Sequence, residues 1–243
     1  NVLIHALNGL LVFWLAIKLV LMHTDRLSQR YLLLAALVAA FWVLNPYHLS
    51  SVAYVIQRMA LLAATCVLAG LLLYISGRQA FLQGRIFQGY GLVWTGYGVG
   101  AGLGVLFKEN AILFVFLVPL VEWLLFTGKA RPWLLRITVG VPALILLYIL
   151  TSYFFTTSGA YTWFRDFSLA ERLLSQTRAL GYYLWRYLIP GISYVGVYAD
   201  GFDKSTSLLQ PLSTLGWLLV HSILIVSAVV LSRRAPLYAF GVL

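Results

Sequence analysis

The chain has few charged residues and almost no cysteine, and both shortages limit what it can be. Only 10% of its 243 residues are charged, against about 25% in an ordinary globular domain. Hydrophobic residues make up 62%, and a soluble domain of this size could not bury so much apolar surface, because geometry fixes its surface-to-volume ratio. The single cysteine, Cys66, excludes an internal disulfide framework and a cysteine-rich metal site. A lipid bilayer is the solvent that suits this composition.

The sequence also lacks the motifs of soluble enzymes. It contains no Walker loop, no glycine-rich dinucleotide fingerprint, no nucleophile elbow and no His/Cys metal spacing. The net charge of +10 would suggest nucleic acid in a soluble protein. Here most basic residues lie at the ends of apolar runs, as they do beside membrane spans, so we expect the lipid bilayer and no nucleic acid as a partner.

Long apolar runs predict an all-α, polytopic transmembrane helical bundle. Seven runs are read as complete spans, and an eighth begins near Leu237 and is cut off by the end of the chain. Since the first run starts at residue 2 with no charged flank, we expect residues 1–243 to be a fragment of one transmembrane domain, truncated at both ends. The predicted spans are Val2–Met22, Tyr31–Asn45, Arg58–Ser76, Tyr90–Phe107, Asn110–Phe126, Pro132–Phe155 and Pro211–Leu231.

The basic residues predict the orientation of the spans. One alternating set of loops holds nine basic residues, whereas the short loops on the opposite side hold only Arg58 and Lys108. The positive-inside rule places the side richer in basic residues in the cytoplasm. The side with Arg58 and Lys108 is then periplasmic, and it includes a long loop, residues 156–210. The richer side holds nine basic residues: Arg26, Arg30, Arg78, Arg85, Lys129, Arg131, Arg136, Arg233 and Arg234.

Most polar residues that could take part in catalysis or binding fall on the predicted periplasmic side. Lys108 and Glu109 interrupt two apolar runs with almost no loop between them. Charges held at the membrane surface in this way need partners, because their desolvation is costly. The alternative is a hairpin turn with no functional role. Lys108 suits a phosphate as a compact point charge. Glu109 could orient that lysine, hold a metal ion or bind an acceptor hydroxyl. A second candidate binding set on the same side comprises His5, His48, Tyr54, Gln57 and Arg58, with interfacial or structural roles as the alternatives.

The long loop predicts an amphipathic helix. Ser168 and Glu171 have the spacing of a capping box, and Arg172 and Arg178 alternate with apolar residues as in an interfacial helix. Such a helix would roof a lipid-phosphate site or serve as a surface anchor. Asp203 follows as part of a short acidic loop with Asp200, although no wider metal-ligand set is visible.

Several of these motifs, in this order, are similar to those of GT-C-type membrane glycosyltransferases. The run from Asn45-Pro-Tyr-His48 through Gln57-Arg58 resembles a stretch of that family, and nearest are bacterial proteins, often fused to TPR repeats, that resemble the eukaryotic TPR-containing O-mannosyltransferases. Further matches are His5-Ala-Leu-Asn8, Phe107-Lys-Glu109, the segment from Arg172 to Pro190, and Asp203-Lys-Ser205.

This resemblance implies transfer of a sugar from a polyprenyl-phosphate-linked donor to a protein or glycan acceptor at the periplasmic face of a bacterial inner membrane. The family places its catalytic base, an acidic residue, in the first periplasmic loop, which would precede residue 1, so the fragment alone is expected to be inactive. Glu109 or Asp203 is the fallback base. The family sometimes uses a divalent cation, Mg²⁺ or Mn²⁺. Relatives often carry a glutamate where this chain has Ser50, so that loop is not expected to supply an acid.

Three alternative functions are compatible with the sequence. An O-antigen ligase or polymerase also combines many spans, a long periplasmic loop and a polyprenyl donor. A transporter would show internal repeats and broken helices near the midplane. A non-catalytic membrane scaffold would tolerate substitution of Lys108.

Overall fold

The computed structural model describes residues 1–24, 26–126, 129, 133–157, 168–189 and 203–243. Within these ranges the regular structure is entirely helical, as expected for an all-α membrane protein. The chain divides into two compact units, Asn1–Gly140 and Val141–Leu243.

The first unit contains the helices up to the start of α8. Short 3-10 turns, Pro46–His48 and Val55–Gln57, flank α3. A π-helical segment, Gly98–Leu103, joins α5 to α6, and a 3-10 turn, Glu109–Leu113, precedes α7. The helices are α1 Val2–Leu21, α2 Gln29–Leu44, α3 Leu49–Ala53, α4 Arg58–Leu82, α5 Ile86–Tyr97, α6 Gly104–Phe107 and α7 Phe114–Leu125.

Helix α8, Trp133–Thr157, begins in the first unit and continues into the second. The second unit then contains α9 Leu169–Leu188, α10 Ser213–Leu231 and α11 Pro236–Val242. The predicted 156–210 loop therefore includes a 20-residue helix. Its segments 158–167 and 190–202 lie outside the described residues.

Five helical stretches of the described chain are long and apolar enough to cross a membrane, and a sixth qualifies if α2 and the segment Pro46–Ala53, bent by 44°, form one broken span. The protein is thus a multi-pass membrane protein. The predicted span Asn110–Phe126 is not among these stretches, because the 3-10 turn and α7 together extend only from Glu109 to Leu125, which is too short. The total of seven spans stays a prediction.

The directions of the helices in the first unit determine which segments lie at each of its two ends. Asn8 near the start of α1 bonds to Leu61 near the start of α4, while Lys18 near the end of α1 bonds to Gln79 near the end of α4. These two helices are therefore parallel. Helix α2 is antiparallel to α1, because Val43 near its end meets His5. The start of α1, the turns after α2 and the start of α4 consequently share one end of the unit.

Glycines allow α4 to pack backbone to backbone against the α5–α6 segment. A methyl group at Gly70 would lie 2.7 Å from the Cα of Gly100 and 2.8 Å from the Gly96 carbonyl oxygen. At Gly77 a methyl group would lie 2.9 Å from the Gly89 carbonyl oxygen. The sequence predicts close packing from the small residues of the Gly98–Gly104 run, and the contact at Gly100 confirms it.

One positive charge assigned to a loop lies in the protein interior. The sequence ends the third span at Ser76 and counts Arg78 among the loop residues, but α4 continues to Leu82 and Arg78 is fully buried. That assignment was wrong, because an arginine can remain inside a helix when another helix supplies its counter-charge. Eight basic residues of the original nine remain for the orientation argument, against two on the other side.

Candidate functional site

Seven of the predicted site residues belong to the same end of the first unit, which we call the polar end. It comprises the start of α1, the segment Asn45–Arg58 and the Lys108–Glu109 break between α6 and α7. The break lies at this end because α5–α6 runs antiparallel to α4, with Gly104 close to Cys66 and Ala111. The seven residues are His5, His48, Tyr54, Gln57, Arg58, Lys108 and Glu109.

His5 and His48 form an aromatic cluster with Trp42 at the polar end. The His5 ring stacks on Trp42 with centroids 4.8 Å apart, and the His48 ring lies 4.7 Å from Trp42 and 5.4 Å from His5. His5 Nε2 donates to the Val43 carbonyl oxygen at 3.0 Å. Its Nδ1 is buried and has no hydrogen-bond partner among the described residues. The cluster packs α2 and the following turn against α1 and leaves one buried nitrogen for a ligand.

Asn1 links the turn after α3 to the start of α4. Its amide nitrogen donates to the Tyr54 carbonyl oxygen at 2.8 Å and to the Val52 carbonyl oxygen at 3.1 Å. Arg58 Nε donates to the Asn1 side-chain oxygen at 3.3 Å. The Arg58 and Tyr54 side chains are exposed and Gln57 is partly buried. Arg58 is therefore oriented by a neutral group, which leaves its charge uncompensated by this contact.

Asn8 is held inside the protein by hydrogen bonds to α4. It is fully buried, donates to the Leu61 carbonyl oxygen at 3.0 Å and accepts from the Thr65 hydroxyl at 2.7 Å. His5 and Asn8, three residues apart in α1, are both buried and therefore share the inner face of the helix. Its role is to join α1 to α4.

Lys108 and Glu109 lie where the backbone breaks. Lys108 adopts an extended conformation (φ −157°, ψ 133°), which ends α6 and starts the 3-10 turn of Glu109–Leu113. The Lys108 side chain is partly buried and Glu109 is exposed. Neither side chain makes a hydrogen bond or an ion pair within the described parts of the chain. Such a turn presents a cation and a carboxylate to whatever binds there.

The opposite end of the first unit, which we call the paired end, holds its charges differently. Arg78 of α4 and Glu122 of α7 form a fully buried ion pair, and the Tyr74 hydroxyl donates to the same carboxylate at 2.9 Å. The Arg78 guanidinium also lies 4.8 Å from the centre of the Phe126 ring. Glu122 therefore makes a contact between α4 and α7.

Lys18 is a second intramembrane charge that the sequence reading missed. It lies in α1, and its Nζ donates to the Gln79 side-chain oxygen of α4 at 3.1 Å. A lysine within a 20-residue apolar helix is itself the signal that could have found it.

The remaining predicted site residues, Arg172, Arg178 and Asp203, belong to the second unit. Arg178 Nη1 donates to the Asp203 carbonyl oxygen at 2.9 Å and to the Ser205 hydroxyl at 3.2 Å. The Ser205 amide in turn donates to the Ser175 hydroxyl at 2.8 Å. Arg178 thus ties the segment before α10 to α9, and its guanidinium is partly engaged by protein. The Asp203 side chain is exposed, and Arg172 is partly buried.

Helix α9 begins with the predicted capping box and packs on α10. The Ser168 amide donates to Glu171 Oε2 at 2.7 Å, and the Glu171 amide donates to the Ser168 hydroxyl at 3.2 Å. Gly181 lies directly against Trp217 of α10, and His221 Nε2 donates to the Thr177 carbonyl oxygen at 3.1 Å. The helix is therefore a packed element of its unit, with α10 covering part of one face.

The described residues provide no set of side chains that would hold a divalent cation. Within those ranges, no group of three or more His, Cys, Asp or Glu side chains is close enough to hold a metal ion. Asp200, the nearest acidic neighbour of Asp203 in the sequence, lies outside the described residues.

Comparison with known proteins identifies no relative. No protein-family model matches the chain, and no curated protein and no solved structure matches it either.

Proposed function

We propose that this chain is part of a GT-C-type membrane glycosyltransferase. It would move a sugar from a polyprenyl-phosphate-linked donor to a protein or glycan acceptor. In this proposal the chain spans the bacterial inner membrane, and the polar end faces the periplasm. TPR repeats like those of similar proteins would belong to another part of the protein. The charge count supports this orientation, with eight basic residues facing the cytoplasm against Arg58 and Lys108 on the other side.

The observation that supports the proposal best is the Lys108–Glu109 break at the polar end. Lys108 has no ion-pair partner within the described ranges, although it lies between two apolar helices. A partly buried cation of this kind favours an anionic ligand, because desolvation without compensation is costly. Arg58 belongs to the same end and is oriented only by neutral Asn1. The phosphate of a lipid-linked donor supplies the missing negative charge.

In the proposed mechanism, these residues stabilise the leaving group. Negative charge develops on the donor phosphate as the glycosidic bond breaks, and fixed cations in a water-poor site stabilise that charge without reorganisation. Lys108 supplies a compact point charge and Arg58 a planar donor. Tyr54, Gln57 and the ring cluster of His5 and His48 would line the donor site.

The base that deprotonates the acceptor hydroxyl is assigned to an acidic residue preceding residue 1, on the resemblance alone. Glu109 is the alternative within the first unit, because its exposed carboxylate neighbours the proposed phosphate lysine. In the second unit, Asp203 keeps the same fallback role. Arg172 and Arg178 are proposed to contact donor lipid or phosphate, with Arg178 also fixing the backbone of Asp203.

The test is sugar transfer from a labelled polyprenyl-phosphate donor by the full-length protein in membranes. We expect Lys108→Ala to lower the transfer rate by about a hundredfold, equivalent to about 2.7 kcal/mol of lost barrier stabilisation. Lys129→Ala is the matched control, because Lys129 is also a lysine next to α7 but contacts the Phe126 ring beyond the far end of that helix. That variant should transfer sugar at the wild-type rate.

Two outcomes would reject the proposal. If the wild-type protein transfers no sugar from a panel of such donors, it is not a glycosyltransferase of this class. If it transfers sugar and Lys108→Ala is as active as Lys129→Ala, the polar end does not bind the donor phosphate.

A transporter is the second candidate, because the structure has two features typical of that class. The segment Pro46–Ala53 is bent by 44° from α2, and the buried Arg78–Glu122 pair lies between two helices. Transporters build substrate sites from discontinuous helices and intramembrane charges. Proteoliposomes that accumulate a phosphorylated lipid or sugar without cleaving it, with loss of uptake in Glu122→Gln, would favour this reading.

A further inference from the structure

Lys18 is a charged residue that the proposed function does not use. It lies three residues before the end of α1, at the paired end, and it is partly buried. Its only side-chain partner in the described chain is the neutral Gln79 amide, 3.1 Å away, and no described acid lies within ion-pair distance. A cation inside an apolar segment costs up to about 3 kcal/mol at the bilayer centre and less near an interface. Within the described residues the charge of Lys18 is therefore uncompensated, and an anionic ligand would compensate it.

A groove bordered by α1 and α4 leads away from Lys18. It forms a cavity of about 500 Å³, with an apolar lining apart from Lys18 and the Ser76 hydroxyl. The other side chains that define it are Leu11, Trp14, Ile17, Ala69, Leu72 and Leu73. At a rise of 1.5 Å per residue, the seven steps from Leu11 to Lys18 span about 10 Å, most of one leaflet of the hydrocarbon core.

We propose that this groove is a binding site for one anionic diacyl phospholipid. An acyl chain lies between α1 and α4, and the lipid phosphate meets Lys18 Nζ. The site is at the opposite end of the first unit from the polar end, so the inference goes beyond the proposed glycosyltransferase activity and is independent of it.

Charge complementarity identifies the occupant. The groove takes an aliphatic chain, and the lysine at its end takes a negative headgroup, a combination that an anionic phospholipid supplies in one molecule. The charge count predicts this end to be cytoplasmic, the side on which anionic lipids give the membrane a negative surface potential. A basic residue near the membrane surface adds about 1 kcal/mol of attraction to anionic lipid. A zwitterionic lipid carries the same tails but no net charge for Lys18.

Retention of lipid by the purified full-length protein tests the site. The protein is equilibrated with equal amounts of phosphatidylglycerol and phosphatidylcholine, and the lipids that stay bound are counted by native mass spectrometry. We expect the wild type to retain phosphatidylglycerol in about fivefold preference. Lys18→Met should abolish the preference, and this variant is compatible with folding because it replaces a charge by an apolar side chain of similar length. Arg85→Gln removes an equal charge outside the groove and should keep the preference.

A second variant separates the groove from surface charge. Leu73→Trp fills the groove and leaves Lys18 in place, so it should also remove the preference; its unfolding transition is measured to show that it is folded. The proposal is overturned if the wild type shows no preference, or if Lys18→Met or folded Leu73→Trp keeps it. It is also overturned if an equal amount of polyprenyl phosphate displaces the phosphatidylglycerol, because the occupant is then a different lipid.

Discussion

The buried ion pair at one end of the first unit and the helix break at the other treat charge in opposite ways. At the paired end, Arg78 and Glu122 neutralise each other in the interior, and Tyr74 adds a hydrogen bond to the same carboxylate. At the polar end, Lys108 and Glu109 make no hydrogen bond or ion pair with described residues. A charge compensated within the protein serves the fold, whereas an uncompensated one at a helix break is available to a ligand. Substitutions at the two ends should accordingly affect different properties.

The largest expected effect is on stability, at the paired end. Glu122→Ala leaves the Arg78 guanidinium buried without its counter-charge, and loss of one partner of a buried ion pair costs about 3–5 kcal/mol. Reversible unfolding in mixed micelles should show that loss in the free energy of unfolding. The double variant Arg78→Met, Glu122→Met removes both charges and should recover most of it. If the single and double variants are equally unstable, the pair is not what stabilises this end.

A smaller loss of stability is expected from the helix packing beside the ion pair. A methyl group at Gly77 would lie 2.9 Å from the Gly89 carbonyl oxygen and 3.0 Å from the Val93 amide nitrogen, both backbone atoms. Gly77→Ala should therefore separate α4 from α5 and cost about 1–3 kcal/mol, as overpacking does. The same micelle unfolding assay measures this cost.

Gly91→Ala is the control for that substitution. Gly91 lies within α5, and a methyl group there would meet nothing within 4 Å. Because alanine is the better helix former, by about 1 kcal/mol, Gly91→Ala should leave stability unchanged or raise it. An equal loss in both variants would show that helix contact at Gly77 does not matter.

The sequence predicts the helices, the glycine packing and the one-sided distribution of polar residues, because each depends on local hydropathy or spacing. It also predicts the capping box of α9, whose residues are three apart. It does not predict that Arg78 is buried, because hydropathy counts a charge where it stands and ends the span there. The partner, Glu122, is 44 residues away. Pairing of distant charges depends on which helices pack together, and a single sequence gives no measure of that.

The polar end should show the reverse pattern, with small effects on stability. Arg58 is exposed, and its contact with the Asn1 side chain is 3.3 Å long. Arg58→Gln should change the free energy of unfolding by no more than about 0.5 kcal/mol, as surface substitutions do. Lys108→Ala should not lower it, because an uncompensated, partly buried charge does not stabilise the fold. Unfolding in micelles beside the transfer assay separates stability from activity. A loss of several kcal/mol in either variant would place these residues among the structural groups of the paired end.

The smallest expected effect concerns the capping box of α9, where a partly exposed charge is compensated by the protein. Hydrogen bonds from the backbone amide and the side chain of Ser168 hold the pKa of Glu171 below its ordinary value. Lys204 adds a weaker attraction at 3.9 Å. Because the folded pKa is depressed, the stabilisation is complete above the ordinary glutamate pKa of about 4.3. It is lost as the pH falls through the lowered value. Hydrogen exchange of the first-turn amides, corrected for intrinsic rates, should show less protection at pH 3 than at pH 6. Glu171→Gln keeps the acceptor oxygen and should remove this pH dependence; equal pH dependence in both proteins would assign it to another group.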